Sequence, residues 1–167
     1  MLMQRLITLT EKLLGYILCA LLILLTVSVI WQVIGRYLLQ SPSTWPDEVA
    51  RFSLIWVAML GGAFVYGKKK HLAVTILLEM WVGTVRGYWL DNLHHILVIL
   101  FGLSVFIGGC SMAHNNFAFG QLSSVLKINM GYIYSAVPVT GILLILFASH
   151  FFLNNLRLIR QISSEKV

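Results

Sequence analysis

Charge is what this chain has least of. Asp, Glu, Lys and Arg make up 11% of its 167 residues, against ~25% in ordinary soluble domains, and 59% of the chain is hydrophobic. Three stretches carry no such residue at all: Leu13 to Ile34, Asn92 to Ala113 and Tyr132 to Leu153, each 22 residues long. A bilayer is crossed by ~20 helical residues rising 1.5 Å each, so each stretch is long enough to span one, and a water-soluble globular domain is excluded. A fourth run, Phe52 to Gly67, has 16 uncharged residues. It reaches spanning length if Val49, Ala50 and Arg51 join it with the Arg51 head snorkelling to the interface.

Other absences narrow the function. There are only two cysteines. Cys19 and Cys110 stand near opposite ends of their runs, at depths differing by roughly 18 Å, whereas a disulfide needs Cα atoms within about 7 Å; both read as small apolar fillers. No carboxylate or lysine stands at mid-depth in any run, and such groups mark proton relays and ion pathways. Nor do two halves of the chain show the paired Gly- or Pro-broken helices that build transporter binding sites. Ser123 and Ser124 have only His114 nearby as a base, so no catalytic triad is readable and no enzyme is expected. The net charge of +6 comes from cations at run ends, without interleaved aromatics, which argues against a nucleic-acid partner.

What is present reports topology. Nine of the twelve cations fall at the two ends of the chain (Arg5, Lys12, Arg157, Arg160, Lys166) or between runs two and three (Lys68, Lys69, Lys70, Arg86). The positive-inside rule therefore makes both termini and the central loop cytoplasmic, and turns the loops near 36–48 and 114–131 outward. The first run exceeds the 7–15 residues of a signal-peptide core and no small-x-small cleavage site follows, so an uncleaved anchor is expected. Between runs two and three, Thr75, Glu79, Gly83 and Arg86 recur on one helical face of an otherwise apolar stretch. That pattern predicts an amphipathic helix lying on the cytoplasmic surface, with Trp81, Tyr88 and Trp89 at headgroup level. The expected architecture is an all-α integral membrane protein, one domain over 1–167, with transmembrane helices near 13–34, 46–67, 92–113 and 132–153 and an interfacial helix near 72–90.

The densest polar segment is SPSTWPDEVARF, Ser41 to Phe52. Thr44 and Asp47 have capping-box spacing with Pro46 in a first turn, so a helix should start here, with Glu48 and Arg51 paired at i, i+3. That leaves Trp45 and Arg51 less explained, and a docking role is open to this corner. Farther on, Ala58 and Gly62, then Ala63 and Gly67, are small residues four apart, a spacing that lets helix backbones approach.

The order Trp45-x-x-Glu48-x-x-Arg51, then Trp56, Leu60-Gly61, and a basic cluster from Lys68 closed by His71 and followed by Val74, resembles the DctQ-like small membrane subunits of tripartite ATP-independent periplasmic (TRAP) transporters. Leu126, Ile128, Tyr132 and Pro138-x-x-Gly141 resemble that family's last outer loop and fourth helix. One departure is Thr75, where the family commonly has Asp. The resemblance implies a multi-pass protein of the bacterial inner membrane. It would be the non-conducting subunit of an importer driven by an ion gradient, usually sodium, and carrying organic acids. Its partners would be a large multi-spanning subunit and a periplasmic substrate-binding protein. Trp45, Glu48, Arg51, Trp56 and Gly61 then become partner-binding or structural candidates. Lys68, Lys69, Lys70, His71, Glu79 and Arg86 become the interfacial set on the cytoplasmic side, and no metal or cofactor is expected. An alternative is haem-mediated electron transfer, with His94 or His95 ligating opposite His150 at similar depth. Adjacent His94 and His95 project about 100° apart, so only one of them could face inward.

Overall fold

In a computed structural model the described residues are 2–40, 44–68 and 85–164. They form an all-helical protein with four helices long and apolar enough to cross a membrane. Helix α1 covers Leu2–Tyr37, α2 Trp45–Gly67, α3 Val85–Ala118, the short α4 Met130–Tyr134, and α5 Ala136–Ser164. At 1.5 Å per residue the 36 residues of α1 extend about 54 Å, well beyond a hydrocarbon core of ~30 Å.

The helix ends follow local chemistry. The N–H groups of Leu38 and Leu39 both reach the Ile34 carbonyl, and Gln40 closes the turn with φ of +50°. At the start of α2, Pro46 occupies the first turn as expected, but Thr44 makes no side-chain capping bond. The expected capping box does not form, because Asp47 turns instead to Arg51, 2.7 Å away. Helix α3 stops where Gly120 takes φ of +60°, a conformation in which a Cβ is strained. Asn129 then caps α4, its Oδ1 accepting from the Gly131 N–H at 2.8 Å. Helices α4 and α5 nearly continue one another; Pro138 has no N–H for the Tyr134 carbonyl, and the chain breaks at Ser135.

The first and third runs thus sit inside helices longer than the runs themselves, whereas the fourth begins in α4 and continues into α5. The expected interfacial helix lies mostly outside the described residues, and residues 85–90 at its end belong to α3.

Packing follows the order α1–α2–α5–α3, and no extensive contact joins α1 to α3 or to α5 among the described residues. The four helices therefore form an open layer rather than a closed square. Half of the most apolar window of α5 is buried, against 17–22% for the other three. The core is Leu14 and Leu18 of α1, Leu60, Ala63 and Tyr66 of α2, and Leu143, Leu144, Phe147, Ala148 and Phe151 of α5. Helices α3 and α5 touch backbone to backbone: a Cβ on Gly109 would stand 2.7 Å from Pro138, and one on Gly141 2.8 Å from the Phe106 nitrogen. Cys19 and Cys110 are both free.

Candidate partner-docking corner

Polar side chains gather at the two ends of the layer. At one end α1 finishes, α2 begins and the loop between α3 and α4 folds over them. Glu48, in the first turn of α2, is 8% exposed and faces that loop. Its carboxylate accepts from the Ser123 hydroxyl at 2.8 Å and from the backbone N–H groups of Val125 at 3.0 Å and Leu126 at 2.9 Å. Among the described residues no cation pairs with it; three donors hold the charge, two of them backbone N–H groups in charge-assisted bonds. The loop is itself braced, Ser123 N–H to Ile128 O at 2.8 Å and Met130 N–H to Gln121 O at 2.8 Å, with Lys127 at φ +55°. Glu48 is thus a clasp across 75 residues of sequence, joining the start of α2 to the loop.

The expected Glu48–Arg51 pair is not formed. One helical turn separates Arg51 from Asp47 on an exposed face, and that is the pair observed, with side chains 66% and 59% exposed. Trp45 is 45% exposed at the same end. A cleft of about 720 Å³ opens between Gln32, Arg36 and Tyr37 of α1, Asp47 and Arg51 of α2, and Ser124 of the loop.

At the end that carries the termini, Tyr66 of α2 lies 2.7 Å from His95 Nδ1 on α3. His95 Nε2 is 3.5 Å from Asp91, which accepts from Asn155 of α5 at 2.6 Å. In the tautomer that aims Nε2–H at Asp91, Nδ1 accepts a hydrogen bond from the Tyr66 hydroxyl, and one chain of contacts links α2, α3 and α5. Lys68 adds a bond from α2 to Glu11 of α1 at 3.3 Å.

Of the other candidates, Trp56 packs half-buried against the core and Gly61 has nothing within 4 Å of where a Cβ would lie. Arg86 sits in the first turn of α3; Lys69, Lys70, His71 and Glu79 lie outside the described residues. The small-residue pairs divide: a Cβ on Gly67 would stand 3.0 Å from the Phe147 ring, whereas Ala58 and Gly62 face outward. The histidines considered for haem are turned to neighbours, His95 as above and His150 Nε2 to Asn154 at 2.9 Å, with the Phe151 ring 5.6–5.7 Å from both.

Sequence reasoning singled out Glu48 but gave it the wrong partner; it named Ser123 and Leu126 for other reasons without joining them to Glu48, and it missed Val125 and Tyr66. A carboxylate near an apolar run together with a serine-bearing outer loop was the available signal, but two of the three donors are backbone groups that no residue type announces.

Comparison with known proteins gives a family match and similar relatives. The family model described as "Tripartite ATP-independent periplasmic transporters, DctQ component" matches residues 25–158. The sialic acid TRAP transporter small permease protein SiaQ of Vibrio cholerae serotype O1 is 26% identical over 149 residues, 89% of this chain and 82% of that protein. The sialic acid TRAP transporter permease protein SiaT of Haemophilus influenzae is 25% identical over 113 residues, which are 68% of this chain and only 18% of that much longer protein.

Proposed function

The chain belongs to the DctQ component family of tripartite ATP-independent periplasmic transporters, and we propose that it serves as the small, non-conducting membrane subunit of an ion-gradient-driven importer of organic acids. In this reading it lies in a bacterial inner membrane with both termini cytoplasmic, braces a large multi-spanning subunit and helps to dock a periplasmic substrate-binding protein. Sodium is the coupling ion to test first. The organic acid of first choice is the sialic acid in the names of two relatives.

One observation carries the bracing role: the middle depth of all four spans holds no Asp, Glu, Lys or Arg. Charged side chains at that depth mark ion pathways and proton relays, and a chain without them is suited to act as a scaffold. The match to one segment of a far longer permease supports the partnership, since a like segment there is part of the same polypeptide as the remaining permease. The docking role rests on the clasp end. Glu48 holds the loop in one shape, while Trp45 and the Arg51–Asp47 pair remain exposed beside it.

Reconstitution tests the assignment. The isolated chain in proteoliposomes should take up no sialic acid under a sodium gradient, and uptake should appear when the large subunit and the binding protein are added. Gradient-driven uptake by the isolated chain defeats the proposal.

A further inference from the structure

At the clasp end both carboxylates of the cleft are engaged, while two donor side chains on α1 are unpaired among the described residues. Asp47 is bonded to Arg51, and the Glu48 carboxylate is filled by three donors. Arg36, in the last turn of α1, has no ion pair or hydrogen bond among the described residues. The Gln32 Nε2 group one turn earlier is buried with no partner. A buried donor without an acceptor is costly, so this wall of the cleft is completed by a ligand that brings oxygens and a negative charge.

The position of the cleft narrows the source of those oxygens. It stands at the end of the apolar spans; Tyr37 lines it, and Trp31 of α1 and Trp45 of α2 are exposed toward the same end, as in the aromatic belt that marks headgroup level. Below it α1 exposes Val33 and then Ile30, an apolar ridge leading toward mid-membrane. A polar pocket at headgroup depth that opens onto an apolar track matches the two parts of a phospholipid.

We infer that this cleft binds the phosphodiester of a membrane phospholipid, with Arg36 and Gln32 donating to its oxygens and an acyl chain lying along Val33 and Ile30. Arg51 can contribute its remaining N–H groups from the opposite wall, since only Nη2 is bonded to Asp47. The lipid would fill the gap between α1 and α2 at the corner where the docking surface is built. The inference does not depend on the proposed transport function, nor on which leaflet the corner faces.

Native mass spectrometry of the full chain in mild detergent tests it, with phosphatidylglycerol as the probe and circular dichroism to check that each variant keeps its helices. The wild type should retain one phosphatidylglycerol per chain. Arg36→Ala should weaken retention about tenfold or more, as expected for loss of a charge-assisted bond. Gln32→Glu, of the same shape but presenting an anion in place of a donor, should weaken it at least as much. Lys127→Ala, also a lost cation but outside the cleft, should leave retention unchanged. Excess inorganic phosphate should not displace the lipid, and diacylglycerol should not replace it. Equal retention by wild type, Arg36→Ala and Gln32→Glu overturns the site. Displacement by inorganic phosphate overturns the lipid in favour of a free oxyanion, and equal binding of diacylglycerol overturns the role of the phosphate.

Discussion

Glu48 and Arg51 are three residues apart and do different work. The Glu48 carboxylate satisfies Ser123, Val125 and Leu126 at once, so Glu48→Ala leaves two backbone N–H groups of the loop without an acceptor. We expect a loss of about 1–3 kcal/mol, read as a lower midpoint in thermal unfolding of the purified protein and as faster proteolysis within residues 121–129. Arg51 is exposed and bonded only to exposed Asp47, so Arg51→Ala should cost ~1 kcal/mol or less. If uptake by the assembled complex nevertheless falls in Arg51→Ala while subunit abundance holds, Arg51 acts in docking; unchanged uptake reduces it to a local ion pair. At the other end, Tyr66→Phe should cost about 1–3 kcal/mol by leaving buried His95 Nδ1 without its donor. A double-mutant cycle with His95→Phe should recover much of that loss, because both partners are then apolar; additive losses would show that the hydroxyl acts on something other than His95.

At the scale of elements, glycines mark which faces are used within the chain. Gly109 and Gly141 hold α3 and α5 at backbone contact, and neither Pro138 nor the Phe106 backbone can move aside for a methyl group. Gly109→Ala should therefore destabilise the protein by about 1–3 kcal/mol through overpacking. Gly61→Ala meets nothing within 4 Å and should leave the isolated chain's unfolding midpoint unchanged or slightly raised. Loss of copurification with the large subunit in Gly61→Ala alone would place the outward face of α2, which includes Ala58 and Gly62, against that partner. Equal copurification of wild type and variant would leave this face to lipid.

The whole molecule is an open layer, α1–α2–α5–α3, with only α5 half buried. Such a layer presents broad apolar faces and two free edge helices, a shape suited to lie against a larger membrane protein. The orientation proposed for it rests on where the cations stand. After replacement of Cys19 and Cys110, a cysteine at Ser163 should react with an impermeant thiol reagent only from the cytoplasmic side. A cysteine at Ser124, in the exposed clasp loop, should react only from the periplasm. The opposite pattern would invert the protein and put the clasp end in the cytoplasm, away from any periplasmic partner.

Hydropathy by itself determined the four spans and the all-helical class, because uncharged runs of spanning length have no other stable form in lipid. The start of α2 at Trp45 was legible too, since Pro46 and the acidic first turn are local signals. The order of residues from Trp45 to His71 also carried the family. The tertiary structure alone decided the partners. Arg51 chose Asp47 because i, i+4 places them on one exposed face, while Glu48 turned inward to backbone groups 77 and 78 residues away. It also decided that the helices form a row rather than a square, and that Gly67 packs inward while Gly62 faces out. Those outcomes depend on which helices meet and at what rotation, and a run of similar aliphatic residues specifies its length far more sharply than its neighbours.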